Sequence, residues 1–444
     1  MHTVTAAEPP AAKTSPFEGV THYHWLVVII ASCGWLFDCM DQRLFVLARE
    51  PALRSLLASD PAKLKSLTTY LAYATSSMMV GWATGGIIFG MLSDRIGRVK
   101  TMVATLIVYA GFTGLSGISH SWIDFFLYRF LAGIGIGGMF GAATTLVAES
   151  VPGQFRSLAL GSLQALSATG NIIGSVITRV IQPGAPDVWM GHPGWRVLFF
   201  IGILPALLVV PIVFVLREPD AWIKAKAAII SGEAQKRVGS IADLFTDARW
   251  RRNTLIGIFL GVSGMIGLWG IGFFSPELIS MALKGSPQHT VDIVKTWGTA
   301  LQDSGAFLGM MTFTFVASRF SRRIAFAGAL VLAMAATMFV FKSLKTASDA
   351  YWMLPMMGFA QLGVFAGYSI YFPELFPTRL RGTGVGFCYN TVRYITATGP
   401  IMLGALSQTM GFRNAAVAMA FVYLVGLAAL IWAPETKGKP LPQD

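Results

Sequence analysis

Apolar residues run along this chain in long blocks separated by short polar breaks. A block of about 20 apolar residues is the length of a helix that crosses a bilayer. The pattern predicts spans at 25–47, 68–92, 101–119, 122–148, 157–181, 195–216, 253–280, 296–318, 324–341, 351–372, 384–406 and 412–433. The longest polar stretch, about 217–252, divides them six and six; it is rich in Lys224, Lys226, Lys236, Arg237, Arg249, Arg251 and Arg252. The expected fold class is an all-α membrane protein of about twelve transmembrane helices. It consists of a six-helix bundle at 25–216, a linker at 217–252 and a second bundle at 253–433, flanked by tails at 1–24 and 434–444.

Composition narrows the choice. Of 444 residues, 54% are hydrophobic and only 13% charged, against about a quarter charged in soluble domains. A soluble enzyme is excluded on that ground. The net charge of +12 would suit nucleic acid in a soluble protein, but no folded soluble portion is large enough for such a domain. Cytoplasmic loops of membrane proteins collect Lys and Arg, and that rule puts the basic linker and both termini on the cytoplasmic side. The compact loops and short tails suggest a bacterial inner membrane. The N-terminal stretch lacks the basic-then-apolar pattern of a cleaved signal and reads as a disordered tail.

Metal and cofactor chemistry find no footing. Cys33, Cys39 and Cys388 lie in apolar stretches without metal-site spacing. His2, His22 and His24 belong to the tail, and His120, His192 and His289 fall in predicted outer loops. No P-loop pattern occurs, and the Gly133–Gly138 run lies inside a span, where a dinucleotide fingerprint would be out of context. No cofactor, no metal, no nucleic-acid partner and no enzymatic activity are expected.

The chain repeats itself. Glu149, Pro152, Arg156 and Gly161 recur as Glu374, Pro377, Arg381 and Gly386, each 225 positions on. The loop Ser93-Asp94-Arg95-Ile96-Gly97-Arg98 recurs 224 positions on as Ala317-Ser318-Arg319-Phe320-Ser321-Arg322. Two matches at nearly one offset imply two pseudo-symmetric halves of one fold, the arrangement of a transporter whose site lies between repeats. Asp94, Arg95, Arg98, Glu149, Arg156, Glu374 and Arg381 read as a charge network that holds the inner gate closed. Ser318 replaces the aspartate in the second half, so that half of the latch is expected to be weaker.

Ionisable side chains inside a bilayer are costly, about 2.5–3.5 kcal/mol each on insertion scales. Asp38 and Asp41 stand three apart in span 1 and share a helical face. Two carboxylates so close in a low dielectric repel, which favours one of them carrying a proton; sequence does not rank them. Asp303 in span 8 is a second candidate for the proton, or a partner for an arginine, and Glu277 lies near the outer end of span 7. Arg393, near the middle of span 11, offers the planar fork that grips a carboxylate; Asn390 shares its face. Arg129 in span 4 could bind substrate or pair with an aspartate. Gln164, Ser167 and Asn171 form part of a polar stripe on span 5, and Gln361 and Tyr368 form a similar pair on span 10. Arg43 is expected to snorkel to the outer surface.

Gly90-Met-Leu-Ser-Asp94-Arg95-Ile-Gly97-Arg98 and Arg129-Phe-Leu-Ala-Gly133-Ile-Gly135-Ile-Gly137 resemble the signature motifs of helices 2–3 and 4 of the major facilitator superfamily. The resemblance covers nearly the whole chain. Gly194-Trp195-Arg196 followed by Pro205, and Pro434-Glu435-Thr436-Lys437-Gly438, fit its metabolite-transporting branches; Arg217-Glu218-Pro219 is a degraded form of a sugar-porter motif. Asp38-Cys39-Met40-Asp41 resembles the Asp-Gly-x-Asp motif of aromatic acid/proton and sialate/lactate-type symporters, departing at Cys39. Arg129 and Arg393 match arginines of such organic-acid symporters. The Gly-Pro motif of drug antiporters is missing from span 5, and the Gln-Gln and Asn signature of sugar porters from span 7.

The resemblance implies a monomeric secondary transporter importing a small organic acid with protons by alternating access. Proton coupling would fall to Asp38, Asp41, Asp303 and Glu277. Substrate binding would fall to Arg393, Arg129, Asn390, Asn171, Gln164, Gln361 and Tyr368. An exporter or antiporter of amphipathic compounds, a sugar or polyol proton symporter, and a transporter-like receptor are the alternatives.

Overall fold

A computed structural model describes residue 15 and residues 17–231 and 238–443. Most of the expected N-terminal tail, and Lys236 and Arg237 of the linker, lie outside the described residues. Each of the twelve predicted spans is met by a helix or an interrupted helical run. In the first half these are His22–Leu56, Leu67–Ile96, Arg98–Gly117, Trp122–Ser150, Gly153–Val180 and a sixth run, Gly194–Ile201 through Val209–Val215. In the second half span 7 runs from Ala248–Met265 through a π-helical turn, Ile266–Ile271, to Ser275–Ala282. Gln288–Arg319, Arg322–Ser343 and Ala347–Leu375 follow as spans 8 to 10. Span 11 is broken into Arg381–Thr396 and Gly399–Met410, with a proline opening the second piece, and span 12 runs from Phe412–Met419 to Tyr423–Ala429.

Nine of these, among the described residues, are long and apolar enough to cross a membrane. The three that fall short are spans 5, 8 and 11. Span 5 carries Gln164, Ser167 and Asn171, span 8 carries Gln302 and Asp303, and span 11 carries Asn390 and Arg393. Polar residues dilute spans 5 and 8, whereas span 11 is broken into pieces of 16 and 12 residues, each too short to cross by itself.

The packing is doubled as the repeat requires. Span 2 lies along span 4 as span 8 lies along span 10; spans 3 and 4 pair as do 9 and 10, and spans 1 and 5 as do 7 and 11. The halves meet where span 2 packs on span 11 and span 5 on span 8, contacts that the repeat exchanges. Gly161 and Gly386 show why glycine stands at both seams. A Cβ on Gly161 would lie 1.9 Å from the Thr314 hydroxyl of span 8, and one on Gly386 would lie 2.4 Å from the Gly86 carbonyl of span 2.

Helix starts repeat as well. Ser121 and Asp124 form a capping box at the start of span 4, and Thr346 and Asp349 form the same box 225 positions later; each satisfies helix-end amides that otherwise lack partners. Arg196 donates to the carbonyls of Gly117 and Ser119, and Arg413 to those of Phe341 and Leu344. That pair is 217 apart. The loop between spans 11 and 12 is shorter than that between spans 5 and 6, so the sequence register slips and hides the match.

Candidate functional site

Both termini of the described chain approach one end of the bundle, where a charge network joins the halves. Arg98 clamps Glu149 with Nε at 2.9 Å and Nη2 at 3.1 Å. Glu149 also takes a bond from Arg381 of the second half, and Arg98 donates to the Thr378 carbonyl at 2.8 Å. Asp94 accepts from the Gly382 and Thr383 amides at 2.9 and 2.8 Å and from the Thr383 hydroxyl at 2.7 Å, so it caps the start of span 11. A carboxylate there meets unpaired helix-end amides and the positive end of the helix dipole. Asp94, Arg98 and Arg381 are fully buried.

The second half builds the counterpart. Arg322 clamps Glu374 with Nε at 3.1 Å and Nη2 at 2.8 Å, and Nη2 also reaches the Ser157 hydroxyl of the first half at 2.5 Å. Arg156 donates to the Ala148 carbonyl at 2.9 Å as Arg381 donates to that of Pro373 at 3.0 Å. Ser318 instead bonds its own helix at Phe315, so it does not do there what Asp94 does. Arg95 reaches the Gly239 carbonyl of the linker at 3.2 Å, while the Gly239 amide donates to Arg379 at 3.0 Å. A linker residue thus touches both halves.

Two glutamates escaped the sequence reading. Glu218 accepts from the backbone amides of Arg98 and Val99 at 2.7 and 3.0 Å. Glu435 accepts from the Arg322 amide at 3.2 Å and from the Ser321 hydroxyl. Each caps the helix that follows the signature loop, and they too are 217 apart. Burial pushes the Glu435 carboxyl up, but bonds from Ser321 and from the Lys437, Arg322 and Arg323 amides outweigh it and hold it below the usual glutamate range. The sequence signal was their presence in the Arg217-Glu218-Pro219 and Pro434-Glu435-Thr436 motifs, whose register hid the equivalence.

At mid-depth the polar residues of span 1 divide between two faces. Asp38 and Asp41 turn inward to the first half. Asp41 accepts from the Thr113 hydroxyl at 3.2 Å and lies 3.7 Å from Arg129 Nη1. Arg129 is fully buried, bonds the Ser116 hydroxyl at 2.9 Å, and lies over the Phe199 ring at 4.9 Å. It is therefore packed inside the first half. Asp38 sits beside the Tyr109 hydroxyl, and no cation is paired with it among the described residues. The other face of span 1, with Cys39 and Arg43, looks to the seam.

Arg393 stands at that seam, 3% exposed. Its guanidinium lies over the Trp82 ring of span 2 at 3.6 Å, and over Tyr389 at 5.0 Å. Nε donates to Asn390 at 3.3 Å, while Nη1 has no hydrogen-bond partner among the described residues. Asn390 donates to the Gly386 carbonyl at 2.9 Å. Tyr389 stacks on Phe140 of span 4 with centroids 4.0 Å apart. Gln164 is buried with an unpaired Oε1, and Asn171 is half-buried on the same helix. Trp82, Tyr389 and Phe140 are not singled out by any motif or polar pattern in the sequence.

Three predicted residues lie elsewhere. Gln361 donates to the Thr337 hydroxyl at 2.8 Å, and Tyr368 to the Leu260 carbonyl at 2.8 Å; both are engaged inside the second half. Glu277 is exposed in the first turn of Ser275–Ala282. Arg43 does not snorkel: it crosses the seam to Asp303 at 2.5 Å, because its face of span 1 is covered by the second half and not by lipid. This pair lies toward the end opposite the charge network.

Twin six-helix halves, meeting at a seam that buries an arginine at mid-depth and is tied at one end by charges, define a membrane transporter and not an enzyme. Residues 36–398 match the Major Facilitator Superfamily, and the chain belongs to that family. It is 28% identical over 387 residues to the cis,cis-muconate transport protein of Acinetobacter baylyi, covering 86% of this chain and 90% of that one. It is 29% identical over 363 residues to the sialic acid transporter NanX of Escherichia coli, covering 78% and 79%. In fold it is similar to the proton:xylose symporter XylE, with a TM-score of 0.76, 17% identity, and 94% and 98% of the two chains covered.

Proposed function

We propose that this transporter carries a small organic carboxylate together with protons, by alternating access, in a bacterial inner membrane with both termini in the cytoplasm. The single observation that carries the reading is Arg393. It is a buried guanidinium at the seam of two repeats, with an unpaired Nη1 and no carboxylate within ion-pair distance among the described residues. Leaving such a charge without an anion is costly, and a substrate carboxylate satisfies it. The relatives named for muconate and sialic acid, and others named for benzoate and gentisate, support an organic acid.

The halves 25–216 and 253–433 rock as units. The Asp94, Arg98, Glu149 and Arg381 network, with Glu374, Arg156, Arg95 and their neighbours, closes the cytoplasmic side, and the Arg43–Asp303 pair closes the outer side. Substrate docks on Arg393, with Asn390, Gln164 and Asn171 as polar neighbours. Asp38 carries the proton. It is the buried carboxylate without a cation, whereas Asp41 has Arg129. Neutralising Asp38 and Arg393 together lowers the cost of a closed, dehydrated state, which couples the two events.

The test is proton movement in proteoliposomes given muconate, benzoate, lactate, succinate and xylose from outside. Alkalinisation of the medium with a carboxylate is the expected result. Silence with every acid, together with proton movement driven by hydrophobic cations, would overturn the reading in favour of an exporter.

A further inference from the structure

Away from the seam, spans 7 and 12 lie side by side and leave a groove of about 500 Å³ on the outer wall of the second half. Its length is apolar. Leu255 and Phe259 of span 7 and Val425 of span 12 are exposed there, and Ala428 and Ala429 form a shallow floor. On a membrane-spanning helix such residues face acyl chains. At the end near the chain termini the character changes abruptly to Arg251, Arg252 and Trp432. Arg252 is turned across the mouth, donating Nε and Nη2 to the Trp432 carbonyl at 3.0 and 2.6 Å. Trp432 is 60% exposed, the usual place of an indole at the headgroup level. Arg251 is exposed, and no described residue bonds its side chain.

An apolar groove of about 500 Å³ that ends in two cations at the headgroup level matches one kind of molecule. We propose that this groove binds an anionic phospholipid. Its acyl chain lies against Leu255, Phe259 and Val425, and its phosphate is held by Arg251 and the outer edge of Arg252. A zwitterionic lipid fills the apolar part equally well but brings an ammonium to an already cationic mouth. The headgroup charge, not the chain, is therefore what the site selects. The assignment is independent of what the seam transports.

Native mass spectrometry of the full chain in detergent tests it, with dioleoyl phosphatidylglycerol against dioleoyl phosphatidylcholine as probes. The chains are identical, so only the headgroup differs. One phosphatidylglycerol is expected to be retained in preference. Arg251→Ala with Arg252→Ala should weaken its retention at least about tenfold. Should that variant fail to fold, Arg251→Glu alone tests the same point, because this side chain supports no internal bond. Ala428→Phe fills the floor while leaving both arginines, and should also lower retention. Excess glycerol 3-phosphate should not displace the lipid, since a headgroup without chains gains nothing from the groove. Equal retention of the two lipids, unchanged phosphatidylglycerol binding in Arg251→Glu or Ala428→Phe, or displacement by glycerol 3-phosphate would each overturn the assignment.

Discussion

Arg98 and Arg322, 224 positions apart, make the same three-way bond: each clamps a glutamate with Nε and Nη2 and sends Nη1 to the carbonyl five residues back. The glutamates they hold are not equally placed. Glu149 is shared with Arg381 across the seam, whereas Glu374 is shared with the Thr436 hydroxyl at 2.5 Å. Glu149→Gln takes the ion-pair partner from the buried Arg381 and half of the clamp from Arg98, which keeps Asp94 at 3.2 Å, and should cost about 3–5 kcal/mol; Glu374→Gln, which touches one guanidinium, should cost less. Thermal unfolding of both variants in one detergent measures the difference.

Arg393 should tolerate no replacement. Arg393→Ala removes charge-assisted bonds to a carboxylate and should weaken substrate binding about ten- to a hundredfold. Arg393→Lys keeps the charge but loses the flat fork that lies on Trp82, so it should rescue little. Binding titrations with the acid found in the proton-movement assay check both.

Asp38→Asn and Asp41→Asn should part company. Asp38 has no cation to strand, so its variant should fold, exchange labelled substrate across the membrane, and fail to accumulate it. Asp41→Asn leaves Arg129 buried beside a neutral partner and should lower folded yield. Accumulation by Asp38→Asn against a gradient would remove Asp38 from the proton path.

The Arg43–Asp303 pair should be replaceable as a unit. Either residue changed singly to Ala should leave the outer side open more of the time and speed labelling of Cys39, one helical turn deeper, by an impermeant thiol reagent. Arg43→Asp combined with Asp303→Arg should restore slow labelling. The background should lack Cys33 and Cys388.

Glu435 gives a pH signature outside the membrane. Its carboxyl sits below the usual glutamate range in the folded protein. The stability it contributes is therefore present above the ordinary glutamate value and disappears as pH falls through the lower folded one. Wild type should unfold at a higher temperature than Glu435→Gln at neutral pH, and the gap should close on acidification.

The spans and the charge network between the halves were legible because both leave marks along the chain: a bilayer fixes block length, and duplication fixes an offset. The stacking of Arg393 on Trp82 and the Arg43–Asp303 bridge left none, since each joins helices far apart in sequence. Glu218 and Glu435 were present in the motifs, but the register slip from 225 to 217 disguised them as unrelated. Gln361 and Tyr368 illustrate a different limit. A polar residue on a helix looks the same in sequence whether it bonds the next helix's carbonyl or faces the seam.

Because Ser318 turns back to its own helix while Asp94 reaches three donors on span 11, the seam at the charge-network end is fastened unevenly. On the proposed cycle, parting begins beside Ser157 and Arg322 and reaches the Asp94 side last. On that cycle water should arrive first along spans 5 and 8, the helices that carry Gln164 and Asp303, and the opening should be wedge-shaped. On the same proposed cycle a duplicated protein acquires a leading edge, which would give the substrate one preferred direction of exit along a nearly symmetric wall.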